Sequence, residues 1–183
     1  MICEDTVNGD YPVVLKQEQQ FVFEHVPLKE YRIKTGVQPF YVDLNGDFVT
    51  DVVFSEHVAL GQSDRVSVLQ GKDNYIEFEK RDFRSDYLSP DSKCLAWDSL
   101  KKYGLASPHS SAFVDLNGDC VPDLTLTLDD GSGNLEQHFF LHQMVDGDVF
   151  YCLVQRESLT HSELITFADF SNSMFGPYPF VRP

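Results

Sequence analysis

A ten-residue acidic segment occurs twice in this chain of 183 residues and constrains its fold more than any other feature. Residues 42–51 read VDLNGDFVTD and residues 114–123 read VDLNGDCVPD, so eight of the ten positions are identical at an offset of 72. Short stretches rich in β-branched and aromatic residues flank both copies, and each copy contains a glycine. This pattern is typical of two strands joined by a polar loop.

Further strand candidates after each loop indicate how the repeat is built. Segments 65–70 and 74–80 follow the first loop, and segments 136–143 and 148–155 follow the second, with turn signals within each pair. Four short antiparallel strands per repeat are the pattern of β-propeller blades. We therefore predict an all-β fold, a partial β-propeller with about two four-stranded blades plus the edges of neighbouring blades.

Two irregular regions complete the predicted organisation of 1–183, which we interpret as a single fragment of a propeller. A polar insertion of about 81–110 separates the two repeats, and within it 92–104 has helical periodicity. A degenerate third repeat starts at about 163, where Asp169 takes the place of Asp115.

The two loops carry side-chain oxygens at positions 1, 3, 5 and 9, which is a calcium-binding pattern. Calcium takes about 6–8 oxygen ligands, and a backbone carbonyl at position 7 often supplies one. Three aspartates within nine residues also repel one another unless a cation neutralises them. The alternative is that Asp, Asn and Gly are simply good turn formers. The predicted ligands of two calcium ions are Asp43, Asn45, Asp47, Val49 and Asp51 in the first loop and Asp115, Asn117, Asp119, Val121 and Asp123 in the second.

An EF-hand is excluded by the residue at position 12 of each loop. That motif needs a bidentate glutamate there, between two helices. This chain has Phe54 and Leu126 at position 12, inside predicted strands.

The stretches DLNGDFVTDVVF and DLNGDCVPDLTL resemble the FG-GAP calcium loops of integrin α-chain propellers. The surrounding sequence resembles the T-cell immunomodulatory protein family over roughly 36–172. The resemblance lies in PFYVDLNGDFVTDVVF, then HSSAFVDLNGDCVPDLTLT, then ITFADF, in this order and spacing. FG-GAP loops usually carry glycine at position 6, where this chain departs with Phe48 and Cys120.

The resemblance implies a non-catalytic interaction module of a cell-surface or secreted protein with a role in T-cell modulation or cell adhesion. Its partners would be an unidentified protein and the rest of a larger propeller. Calcium would act structurally, by fixing the loop between the first two strands of each blade. Two alternatives stay open: an accessory propeller portion of a secreted hydrolase, and a truncated fragment without a function of its own.

Charge and hydropathy exclude other classes of function. The formal net charge is −15, which argues against a nucleic-acid binder and against docking on an anionic membrane. No apolar run reaches the roughly 20 residues of a membrane span, and the acidic start MICEDTVNGD is unlike a secretory signal. We expect no signal peptide and no transmembrane span in this chain, so an extracellular or cell-surface address comes from the resemblance alone.

The remaining cysteines and histidines give weaker predictions. Four cysteines permit two disulfides, and Cys120 is expected to pair with Cys94 or Cys152. His138 and His142 lie too far apart along a strand to share a zinc ion, so we interpret both as partly exposed strand residues.

Overall fold

The computed structural model of the chain describes residues 31–57, 64–72, 77–98 and 100–160, together with the backbone of three strands nearer the N-terminus. These residues form β-structure and a single helical turn, which confirms the all-β prediction. None of the described helical residues forms a helix long and apolar enough to span a membrane. No sheet in this part of the chain closes on itself, so the partial propeller stays a prediction.

The strands form three antiparallel sheets. The first has the order β1-β2-β3. The second, which we call the first-loop sheet, has the order β4-β5-β6-β7. The third, the second-loop sheet, has the order β12-β11-β10, with both β9 and β8 on the far edge of β10. The elements are β1 Ile2–Glu4, β2 Pro12–Gln19, β3 Val22–Pro27, β4 Phe40–Val42, β5 Asp51–Glu56, β6 Arg65–Gly71, β7 Phe78–Asp82, α1 Phe83–Asp86, β8 Gly104–Leu105, β9 Ala112–Val114, β10 Asp123–Asp129, β11 Leu135–Val145 and β12 Asp148–Leu159.

The predicted strands are largely confirmed. Strands β6, β11 and β12 cover the predicted segments 65–70, 136–143 and 148–155 and extend beyond them. Strand β7 covers the end of the predicted segment 74–80, of which residues 74–76 lie outside the described part. The degenerate repeat from about 163 also lies outside the described residues.

The two loop-containing sheets repeat the same strand pairing, at an offset of 72 in the first two strands and of 71 in the third. The shared pairs extend upstream of the loops as far as Ile33 and Leu105, and the tyrosines two residues earlier, Tyr31 and Tyr103, are both buried. The structural repeat is therefore longer than the ten-residue segment. Pairs that recur 72 positions apart are Val42–Asp51 and Val114–Asp123, Ile33–Glu56 and Leu105–Leu128, and the backbone hydrogen bonds Lys34 N to Ser55 O (2.8 Å) and Ala106 N to Thr127 O (3.0 Å).

The main hydrophobic core includes side chains from both of these sheets. It contains Val53 and Val68 of the first-loop sheet together with Leu124, Leu126 and Phe140 of the second-loop sheet. Because strand side chains alternate in direction, the neighbours of Val53 point to the opposite face. Burial of each large aliphatic or aromatic side chain contributes about 1.5–3 kcal/mol. The second cluster consists of Tyr31, Ile33, Val52, Phe54 and Leu69.

The insertion between the repeats packs on the edge of β12. Asp82 caps α1 by accepting hydrogen bonds from the backbone of the first turn, and Phe83 is fully buried. Tyr151 of β12 then exchanges backbone hydrogen bonds with Tyr87 and Ser89, at 2.7 and 3.0 Å. The chain from 87 to 95 thereby lies along the outer strand of the second-loop sheet.

The predicted helix at 92–104 is wrong. Residues 92–98 and 100–103 form turns and irregular chain, and β8 begins at Gly104. Asp91 and Asp98 accept hydrogen bonds from backbone N–H groups two residues ahead, and such local bonds compete with helix formation. The N–H of Leu95 bonds to the Leu153 carbonyl instead of to a helical partner.

Candidate metal site

The first acidic loop wraps around the carboxylate of Asp43. Its Oδ1 accepts hydrogen bonds from the backbone N–H groups of Gly46 (2.8 Å) and Asp47 (3.2 Å), and its Oδ2 accepts one from Phe48 (2.9 Å). Asn45 accepts from the Asp47 N–H at 3.2 Å and donates through Nδ2 to the Asp47 carboxylate at 2.7 Å. The oxygens at positions 1, 3 and 5 are therefore held against the backbone of one tight turn.

The second loop repeats these contacts. Asp115 accepts from the N–H groups of Gly118 at 2.7 Å and Cys120 at 2.9 Å. Asn117 donates to the Asp119 carboxylate at 2.9 Å and accepts from the Asp119 N–H at 2.9 Å. The two loops thus share one geometry despite the different residues at position 6.

The last aspartate of each loop fastens the loop to the third strand of its sheet. Asp51 is fully buried and accepts from the N–H of Leu44 and from that of Gly71 at the end of β6, both at 2.9 Å. Asp123 is also fully buried and uses its two oxygens in the same way.

The Asp123 oxygens accept from Leu116 at 2.9 Å and from His142 of β11 at 2.7 Å. Both carboxylates therefore join the loop start to a strand about 20 residues away. Local sequence gives no signal for these contacts, because the donors are main-chain N–H groups of distant residues.

Burial makes these two carboxylates harder to ionise. Desolvation raises the pKa of Asp51 to about 6, against two backbone hydrogen bonds that lower it, and the charges of Asp47 and Asp43 add to the rise. Burial likewise raises the pKa of Asp123. By contrast, the hydrogen bonds from Val121 and Asn117 lower the pKa of Asp119.

Position 6 of both loops has a backbone conformation that suits glycine. Phe48 has a φ of 65° and Cys120 a φ of 67°, in the left-handed region that L-residues rarely adopt. This explains why the loops that the chain resembles usually carry glycine there. The Phe48 side chain is also 92% exposed.

The donor set fits a hard cation such as calcium. Carboxylate and amide oxygens are the ligands that calcium takes, and an oxygen with one hydrogen bond keeps a second acceptor site. Asp43 Oδ2 and Asp47 Oδ1 each accept one backbone N–H, the latter from Val49 at 2.8 Å. Val121 makes the equivalent bond to Asp119 at 2.8 Å. Among the described residues, no three His, Cys, Asp or Glu side chains already converge to hold a metal ion, so the ligands stay predictions.

Tyr151 shows that both loops lie near the same end of the sheets. Its hydroxyl is buried and donates to the carbonyl of Leu44, next to Asp43, at 2.9 Å. In the ladder Tyr151 pairs with His142, whose N–H bonds to Asp123. Burial raises the pKa of the Tyr151 hydroxyl, and the charges of both loops add to the rise.

The predictions for the remaining cysteines and histidines need correction. Cys94 and Cys152 form a disulfide, and Cys120 is a free, exposed thiol, so the expected disulfide of Cys120 is wrong. His138 is fully buried, whereas His142 is partly buried.

Comparisons with known proteins agree with the resemblance of the sequence. A curated protein of Plasmodium falciparum (isolate 3D7) is 27% identical over 146 residues, and one of Plasmodium yoelii yoelii is 25% identical over 147. Both are named T-cell immunomodulatory protein homolog, and each match covers 75% of this chain. The chain is similar to T-cell immunomodulatory protein homologs.

These homologs are much longer proteins than this chain. The matched region makes up 18% of one T-cell immunomodulatory protein homolog and 19% of the other. The chain thus corresponds to less than a fifth of these relatives. No protein-family profile matches the chain, and no solved structure matches it.

Proposed function

We propose that the chain is part of a calcium-stabilised β-propeller of the FG-GAP type, which serves as a non-catalytic interaction module of a cell-surface or secreted protein. The similarity to T-cell immunomodulatory protein homologs supports this assignment. The two loop-containing sheets, one of four and one of five antiparallel strands, are built on the same repeat and are the proposed blades. A role in cell adhesion or T-cell modulation, through a protein partner, is part of the proposal.

The observation that carries the calcium proposal is the recurrence of one hydrogen-bond pattern in both loops. In each loop the aspartate at position 1 accepts hydrogen bonds from several N–H groups. The aspartate at position 9 has a pKa raised by burial and, further, by the charges of the other two aspartates of its loop. A cation at this place would offset the mutual repulsion of the carboxylates. Asn45 and Asp47, which hydrogen-bond to each other, would be among the residues that hold the ion.

Calcium would act through the position 9 aspartates. Asp51 and Asp123 already join their loops to β6 and β11. An ion that also binds these carboxylates would fix the loop, the second strand and the third strand of a blade as one unit. The surface at this end of the sheets would then keep one shape for a partner.

Calorimetric titration of the purified chain with calcium tests this proposal. We expect two ions to bind the unaltered chain and one ion to bind each of the variants Asp43→Ala and Asp115→Ala. Asp146→Asn is the control, because it removes an acidic side chain at a hairpin tip outside both loops. This variant should still bind two ions. Unchanged stoichiometry in the two loop variants would overturn the metal assignment.

The interaction class is tested separately from the metal. Turnover of ester, phosphate and glycoside substrates with calcium present should stay at the background rate. Calcium-dependent hydrolysis that Asp43→Ala abolishes would overturn the interaction module and assign the chain to a hydrolase.

A further inference from the structure

The imidazole of His138 lies in an unusual environment in the core-facing layer of the second-loop sheet. The side chain is fully buried, and the residue pairs across the ladders with Leu126 and Arg156. Its Nε2 lies 2.8 Å from Glu136 Oε2. Its Nδ1 has no hydrogen-bond partner within the described part of the chain. A neutral ring that donates from Nε2 to the carboxylate therefore leaves Nδ1 as a bare, buried acceptor.

Glu136 is a shared acceptor that connects His138 to the insertion. Its Oε2 also accepts from the Tyr103 hydroxyl at 2.9 Å, and its Oε1 pairs with the Lys101 ammonium. Lys101 lies 3.8 Å from Asp130 as well. The carboxylate already has three donors, so it has little capacity to compensate a second proton on the ring.

Aromatic rings enclose the imidazole. The centroids of Tyr103, Trp97 and Phe140 lie 4.9, 5.5 and 6.1 Å from that of His138. None of these side chains offers a strong acceptor to an Nδ1–H group. A proton on Nδ1 would therefore be a buried donor without a partner, which is unfavourable.

Burial of His138 favours the neutral ring. Burial lowers the pKa of His138 below the ordinary 6.5, and the charges of Arg156 and Lys101 add to the fall, whereas Glu136 opposes it. The His138 imidazole therefore binds a proton more readily when it is released from the core. Packing around His138 is thus favoured near neutral pH and is weakened as the pH falls below 6.5.

We propose that His138 is an acid-sensitive latch, whose protonation at Nδ1 by solvent releases segment 96–103 from the second-loop sheet. This segment supplies Trp97 and Tyr103, which cover the ring, and it contains no strand or helix of its own among its described residues. Backbone contacts hold it at Ala96, whose carbonyl accepts from Arg156, and at Lys102, which donates to Asp130.

Two features keep the release local and reversible. The Cys94–Cys152 disulfide tethers the start of the segment to β12. Strand β11, which carries His138, is paired with β12 along its length and with β10 from Leu135 to Phe140, so it stays in the sheet. Acidification would thus expose the aromatic layer and leave the two sheets folded.

Trp97 provides the test, since it is the single tryptophan of the chain and lies against His138. The tryptophan fluorescence of the full chain is recorded from neutral pH down to pH 4.5, which is the ordinary pKa of a glutamate side chain. We expect a red shift with a midpoint below 6.5 while the far-ultraviolet dichroism of the sheets is unchanged. His142→Gln, a change on the same strand, is the control and should keep the transition.

Substitution of the latch residue decides the assignment. His138→Phe fills the aromatic layer without a titrating group, so the red shift should be lost. If that variant does not fold, the imidazole resonance of His138 in the unaltered chain should titrate together with the Trp97 emission. An emission that is constant over this range, a transition that persists in His138→Phe, or a simultaneous loss of the dichroism of the sheets would each overturn the proposal.

Discussion

Asp51 Oδ1 accepts a hydrogen bond from the backbone N–H of Gly71 at 2.9 Å, across 20 residues of sequence. The same carboxylate accepts from Leu44 at the start of the loop, so one buried side chain holds the loop, β5 and β6 together. The sequence predicts Asp51 as a metal ligand. The structure adds a mechanical role that acts without any ion.

Asp51→Ala should therefore destabilise the chain even in metal-free buffer. The substitution leaves two main-chain N–H groups without an acceptor, which we expect to lower the free energy of unfolding by about 2–4 kcal/mol. Urea denaturation in the presence of a chelator measures the loss. Asp47→Ala, in the exposed part of the same loop, is the matched control and should cost less than about 1 kcal/mol. Equal losses in the two variants would contradict the mechanical role.

Gly71→Ala should disturb the same contact from the other side. A Cβ at this position would lie 2.5 Å from Val49 Cγ1 and 2.8 Å from the Thr50 carbonyl oxygen, so the backbone of the loop would have to move. We expect a loss of about 1–3 kcal/mol in urea denaturation. His142→Ala, at the equivalent position of the other sheet, keeps the N–H donor and should cost less. An unchanged free energy of unfolding in Gly71→Ala would show that the loop can move to accommodate the added Cβ.

Phe48→Gly should stabilise the chain. The left-handed conformation costs an L-residue about 1–2 kcal/mol, and the greater freedom of glycine in the unfolded chain cancels part of the gain. We expect a net gain of about 0.5–1 kcal/mol in the free energy of unfolding. Asp146→Gly is the control, because Asp146 has a φ of 54° but aspartate tolerates this region better. A loss of stability in Phe48→Gly would mean that the exposed ring makes contacts that the structure does not show.

Glu56 should make the stability of the first-loop sheet depend on pH. Burial raises its pKa, but the hydrogen bonds from Lys80 and Arg65 outweigh burial, so the pKa lies below the ordinary 4.5. A carboxylate with a lowered pKa stabilises the fold above pH 4.5 and loses that contribution as the pH falls through the folded value.

Glu56→Gln tests this dependence. At neutral pH it should cost about 1–2 kcal/mol, because the partly exposed Lys80 and Arg65 lose a charged partner. The difference from the unaltered chain should shrink below pH 4.5 in urea denaturation. Glu77→Gln, at an exposed position, is the control. A difference that is constant with pH would assign the loss to packing instead of charge.

Removal of the Cys94–Cys152 disulfide should weaken the chain more than any change at the free thiol. The bond closes a loop of 58 residues, for which the chain-entropy relation gives about 4 kcal/mol. We therefore expect Cys94→Ser to lower the free energy of unfolding by about 2–4 kcal/mol in urea denaturation. Cys120→Ser, at the exposed free thiol, is the control and should be nearly neutral. A similar stability of the two variants would contradict a structural role for the disulfide.

Local patterns predicted the strands and both loops, because alternation of side chains and turn chemistry act over a few residues. The contacts that position the loops were not predictable, since they join Asp51 and Asp123 to main-chain groups about 20 residues away. The burial of His138 had a signal, because it lies two residues from the core residue Phe140 on one strand face. The expected helix failed because Leu95 finds its partner on β12, a tertiary contact that helical periodicity does not report.

The segment from 87 to 95 also covers part of the outer edge of β12. A long outer strand such as β12 presents a row of main-chain donors and acceptors that another polypeptide can extend into a growing sheet. Here the backbone of Tyr87, Ser89 and Leu95 occupies part of that row, and a disulfide holds the cover in place. The insertion therefore hinders amyloid-like strand addition along the covered part of this edge.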